Sequence, residues 1–148
     1  MSSRKDLTDL VKAQIKLENT TAKKIAELEK ATANLAAKLF LAEMRFDTEK
    51  HAKILQTMLD VMKQKESATA AKTLWSTKIH SYVDTLVAKK MLEDHQEVET
   101  KMLKHVEEEM RKTDDDALKL LFQHIADDEK KHHKIMDTIL KKAFAMGP

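Results

Sequence analysis

The sequence predicts an all-α protein: an antiparallel four-helix bundle of two repeated helical hairpins, with a long crossover between helices 2 and 3. Three observations carry this expectation. The only Gly and the only Pro among 148 residues stand together at Gly147-Pro148, so no helix breaker interrupts the chain before its tip. Apolar residues recur at helical spacing along four long stretches. Residues 11–62 also lie over residues 92–143 without a gap, at an offset of 81, as two related hairpins would.

The first helix is expected over residues 4–31 and the second over 35–64, with "ATAN" (31–34) as the tight turn between them. The third spans 83–112 and the fourth 116–144, separated by "TDDD" (113–116). Those aspartates suit an N-cap before Ala117-Leu118, because a short carboxylate there accepts from the unsatisfied N–H groups of the first turn. Between the second and third helices, "KESATAAKTLWSTKIHSYVD" (65–84) is less regular and carries the only Trp and the only Tyr. It is long enough to cross from one end of a bundle to the other. The expected organisation is a single domain of residues 1–148, with hairpins over 4–64 and 83–144 and a crossover over 65–82.

Composition removes several classes of function. With no Cys there can be no disulfide, no Cys-ligated zinc and no rubredoxin-type iron site. Aromatic residues are only 4%, so the core must be aliphatic and Met-rich. The 27 basic and 25 acidic residues are interspersed and leave a net charge of +2. That mixing marks solvated helix faces, and no basic stripe with interleaved aromatics points to nucleic acid. No apolar run approaches the ~20 residues of a membrane span. "MSSRKDLTDL" lacks the apolar segment of a secretory signal, so a cytoplasmic protein with no membrane partner is expected.

The repeat aligns rare residues as well as common ones. "KHAKIL" (50–55) falls on "KHHKIM" (131–136), Glu18 on Glu99, Asp47 on Asp128, His51 on His132 and Leu59 on Leu140. Residues seven apart on a helix differ by only about 20° in azimuth, so such neighbours reveal a residue's face. Glu18 lies between Val11 and Ile25, and His51 between Met44 and Met58. Glu99 lies between Leu92 and Val106, and His132 between Ile125 and Ile139. Each helix therefore carries one ligand-type residue within an apolar stripe. Height agrees: Glu18 and Thr48 are equidistant from the first turn, and Glu99 and Glu129 from the second. At ~1.5 Å of rise per residue they meet in one layer, about 22 Å from the turns.

Burying so many carboxylates without compensation would cost several kcal/mol each, roughly. A metal pair held by carboxylates and neutral imidazoles is one answer. A buried Glu–His–Lys hydrogen-bond network is the other.

At these residues the chain resembles the ferritin-like, rubrerythrin-like superfamily. The resemblance covers essentially the whole chain and is nearest to short prokaryotic members without a rubredoxin domain, whose halves carry "D-S-x-K-H" and "D-E-x-x-H"; here they read "DTEKH" and "DDEKKH". It implies a di-iron carboxylate site with one Glu from each of two helices and a Glu-x-x-His pair from each of the others. Glu18 and Glu99 match the lone glutamates, and "EKKH" supplies Glu129 and His132. In the first hairpin "TEKH" supplies His51, but Thr48 stands where the carboxylate is expected. Glu49 cannot replace it, being about 100° from Thr48 and 200° from His51. Either Asp47 and its counterpart Asp128 ligate, or they orient the histidines. The site would then hold two ions, one firmly and one weakly, or one alone. Iron is the implied metal, with manganese or zinc as alternatives, and an external electron donor would be needed.

His95 lies one turn before Glu99 and its counterpart is Gln14; it is an extra ligand or a water-bridged core polar. His133 is expected on a flank or at a dimer contact, and His80, His105 and His124 at the surface or its boundary. Met44, Met58, Met62, Met102 and Met136 read as core packing, and Trp75 and Tyr82 as a cover for a bundle end. Three functions remain open: a redox-active di-metal protein acting on oxygen or peroxide, a metal-binding protein without turnover, and a metal-free helical interaction protein. A homodimer is the expected assembly. A cage-forming subunit is not, because the chain ends directly after its fourth helix.

Overall fold

The structure, a computed structural model, describes residues 4–67, 74–76 and 82–143. They form four long helices, α1 (Arg4–Ala31), α2 (Leu35–Ser67), α3 (Tyr82–Lys112) and α4 (Asp116–Lys142), plus a single 3-10 turn at Leu74–Ser76. Among the described residues there is no strand, so the all-α expectation holds. The helix ends fall within three residues of those read from the sequence. The chain divides into two compact units, Met1–Ala71 and Lys72–Pro148, which hold α1 with α2 and α3 with α4, respectively. Most of the crossover, His80 included, lies outside the described residues, as does the side chain of Tyr82.

Both hairpin turns are set locally. Asn34 accepts from the Ala37 N–H through Oδ1 at 3.0 Å, and its carbonyl receives the Lys38 N–H. Asp115, in extended backbone, accepts from the N–H groups of Ala117 and Leu118 at 2.8 and 3.1 Å. Each side chain satisfies donors that the first helical turn leaves without partners. Lys141 and Lys142 close α4 with the charge its C-terminal dipole favours. Lys142 also lies 6.0 Å over the half-exposed Trp75 ring.

In the first hairpin the seam buries Val11, Ala22 and Ile25 of α1 against Thr48, Ala52 and Leu59 of α2. Thr48 is accommodated by turning its hydroxyl back onto the Met44 carbonyl at 2.8 Å, the usual refuge of a helical threonine. Arg45 reaches across to Glu29, donating through Nε at 2.7 Å and Nη2 at 3.4 Å, and to Glu49 at 3.3 Å. The Glu29 hydrogen bond, helped by Glu49, holds the Arg45 guanidinium above its ordinary value.

The second hairpin has a different interior. Its buried residues, among those described, are Glu99, Ala126, Glu129 and Met136. Half of that set is glutamate. Alongside it the helices are tied by Gln96 Nε2 donating to Asp137 Oδ1 at 2.6 Å. His133 approaches the Thr100 hydroxyl at 3.5 Å, so it faces the neighbouring helix of its own hairpin.

The methionine stripe departs from expectation. Met136 is buried, but Met44, Met58 and Met102 are exposed. A hairpin has one seam, and a helix in it can carry a second apolar stripe that its partner does not cover.

Candidate metal centre

In the second hairpin α3 contributes Glu99 and α4 contributes Glu129 and His132. Glu129 and His132 are three residues apart, so they share one helix face. Glu99 and Glu129 lie at equal chain distance from the turn between α3 and α4, which brings Glu99 to the same level. His132 Nδ1 lies 3.8 Å from Glu99 Oε1 and 3.8 Å from Glu129 Oε2. The three side chains offer ligand atoms all within 4.8 Å of one another. Glu99 and Glu129 are each only 7% exposed, whereas the His132 side chain is half exposed, at 51%. The centre thus has a buried anionic floor and an imidazole at its rim.

Two oxygens decide what this cluster suits. Glu99 Oε2 and Glu129 Oε2 are buried and have no hydrogen-bond partner. A carboxylate only accepts, and leaving such an atom buried and unmade costs about 1–3 kcal/mol or more. The internal network weighed from the sequence would have supplied donors to both oxygens, and it does not. A cation would compensate both. At bond lengths of about 2.0–2.2 Å, two donors on one ion stand roughly 3–4.4 Å apart, close to the separations found. Two carboxylates and one imidazole form a hard to borderline donor set that suits iron, manganese or zinc.

The first hairpin repeats part of this arrangement. His51 Nδ1 lies 3.8 Å from Glu18 Oε1, the same separation as between His132 and Glu99. The position matching Glu129 is Thr48, buried at 9% with its hydroxyl committed to Met44. Among the described residues, no third carboxylate or imidazole of this hairpin completes a cluster with Glu18 and His51. The His51 side chain is half exposed, lying on the flank of α2 and not in the seam.

The remaining candidates lie beside these groups. Asp47 pairs with Lys50 at 3.2 Å. Asp128 lies 3.7 Å from Lys131 and 3.6 Å from His124, outside the cluster of Glu99, Glu129 and His132. His95 Nε2 lies 3.0 Å from Glu99 Oε1, and Gln14 Nε2 donates to Glu18 Oε1 at 3.1 Å. Sequence reasoning placed these two at corresponding positions but not in a common contact. It missed the Arg45–Glu29 pair altogether, because Arg45 falls on Ala126 in the repeat and nothing in the spacing signals it.

Four long helices stand in two hairpins, one of which buries two glutamates with a half-exposed histidine at their rim as a candidate ligand group. The family model described as Rubrerythrin matches residues 6–140, and the chain belongs to that family, within the ferritin-like superfamily. No curated protein and no solved structure gives a significant match. Among the described residues, no helix is long and apolar enough to cross a membrane.

Proposed function

We propose that this protein binds iron at Glu99, Glu129 and His132, with manganese or zinc as the alternative ions, and uses it in oxygen- or peroxide-linked redox chemistry. The observation that carries the reading is the pair of buried oxygens without a hydrogen bond, Glu99 Oε2 and Glu129 Oε2, on the two carboxylates clustered with the His132 imidazole. Two carboxylates offset the charge of a divalent cation, and their burial strengthens that attraction by excluding water. His132 adds a neutral nitrogen through Nδ1, and its half-exposed ring leaves the centre open to small molecules from solvent. When bound, iron supplies a one-electron ferrous/ferric couple, and reducing equivalents would come from an external donor. Glu18 and His51 form a second, weaker half-site, because Thr48 withholds the carboxylate that Glu129 supplies. Cytoplasmic residence and a homodimer belong to the same proposal.

The test is metal content after anaerobic ferrous loading, measured by plasma mass spectrometry. The expected result is firm retention of a single ion per chain, lost in Glu99→Ala. Retention by Glu99→Ala, or none by the wild type, overturns the assignment. A second reading, a metal-bound protein without turnover, is favoured by Thr48 specifically. It requires a large gain in melting temperature on loading, with no peroxide consumption above that of free ferrous iron.

A further inference from the structure

We propose that His95 is a positioning residue, which holds Glu99 through Oε1 and so fixes the orientation in which its carboxylate meets the metal ion; this rests on the metal-binding reading above. His95 stands one turn before Glu99 on α3, where side chains four residues apart meet. Its Nε2 is 3.0 Å from Glu99 Oε1. Because a carboxylate accepts and cannot donate, the proton of this hydrogen bond sits on Nε2. That nitrogen then has no lone pair to give a cation.

Placement agrees. Glu99, Glu129 and His132 have ligand atoms mutually within 4.8 Å, and His95 is not a member of that set. Its side chain is 58% exposed, against 10% for that of Glu99. His95 therefore holds Glu99 from the solvent side through Oε1, the oxygen that also lies 3.8 Å from His132 Nδ1, while Oε2 stays buried and without a hydrogen-bond partner. The terminal torsion of a glutamate is broad, so a donor on Oε1 selects the carboxylate orientation that the ion needs. Such orienting partners are typically worth 10–100-fold, roughly, in metal affinity.

The first hairpin supplies an internal comparison. Gln14, also one turn before a lone glutamate, donates its amide to Glu18 Oε1 at 3.1 Å. An amide can do the same holding without being a ligand in either hairpin. Gln at position 95 should accordingly preserve the function of His95, and Ala should not.

The experiment titrates Co2+ into the wild type, His95→Gln and His95→Ala, following the visible d–d bands. Both substitutions fall at an exposed side chain, and circular dichroism checks that the helices are retained. The expected result is a loss of about 10–100-fold in Co2+ affinity in His95→Ala, with unchanged stoichiometry and band positions, and recovery of most of that affinity in His95→Gln. Weak binding and displaced bands in both variants would make His95 a ligand and overturn the proposal. Wild-type affinity in His95→Ala would overturn it from the other side. If the wild type itself takes up no Co2+, the metal-binding reading fails with it, a result separable from the other two because all three proteins then give the same flat titration.

Discussion

In the Glu129→Met variant, the sign of the stability change should depend on whether a metal ion is present. Glu129 is 7% exposed and its Oε2 has no hydrogen-bond partner. Methionine has similar length and helix propensity and carries no group that demands a partner. Removing an unsatisfied buried acceptor should stabilise the metal-free protein by about 1–2 kcal/mol. For a chain of this size that raises the melting temperature by several degrees, at about 2–4 °C per kcal/mol. In the loaded wild type, an ion at a hundred times its dissociation constant adds about 2.7 kcal/mol, which the variant forfeits. The order of stabilities should therefore reverse, the variant melting higher with a chelator and lower with Mn2+ or Co2+. The assay is thermal denaturation followed by circular dichroism at 222 nm under both conditions. A variant that is less stable than the wild type in chelator would refute the reasoning, since Glu129 would then be stabilised by the protein alone. Equal stabilisation of both proteins by the ion would place the ion elsewhere.

Thr48→Glu should install in the first hairpin the carboxylate that Glu129 provides in the second; metal analysis should find an additional ion per chain, and the metal-free variant should melt lower because a charge replaces a satisfied hydroxyl at a buried position. An unchanged metal content would show that Glu18 and His51 do not form a half-site. Asp115→Ala removes the acceptor for the N–H groups of Ala117 and Leu118 and should cost about 1 kcal/mol in denaturant unfolding, with metal affinity little changed. Ala126 is 1% exposed and shares a face with Glu129; Ala126→Leu should overpack the seam, cost about 1–3 kcal/mol and weaken Co2+ binding, whereas the same exchange at the exposed Ala33 should do neither.

The four helices and their ends were legible in the sequence because they rest on local physics. A chain without interior Gly or Pro continues helically, and Asn34 and Asp115 restart it where short side chains can cap a new first turn. The shared level of Glu18 with Thr48 and of Glu99 with Glu129 was legible too, since helices rise uniformly and equal distance from a turn means equal height; His51 and His132 follow three residues on, on the same faces. Faces were legible only relatively. Neighbours seven residues apart show that Met44, His51 and Met58 share a stripe, but not whether the partner helix covers it. In the first hairpin the seam instead takes Thr48, Ala52 and Leu59, a rotation around α2 that no pattern within that helix specifies.

The sequence by itself determined the helical class, the hairpin arrangement and the residue types that could hold a metal ion. Tertiary structure alone decided which of those residues became a cluster. It left Asp128 with Lys131 and His124, turned His95 onto Glu99 Oε1 and stranded two carboxylate oxygens in the second seam. The physical reason is that spacing along one helix fixes where a side chain starts. Where its terminal atoms finish depends on rotamers chosen by whatever packs against them from the neighbouring helix.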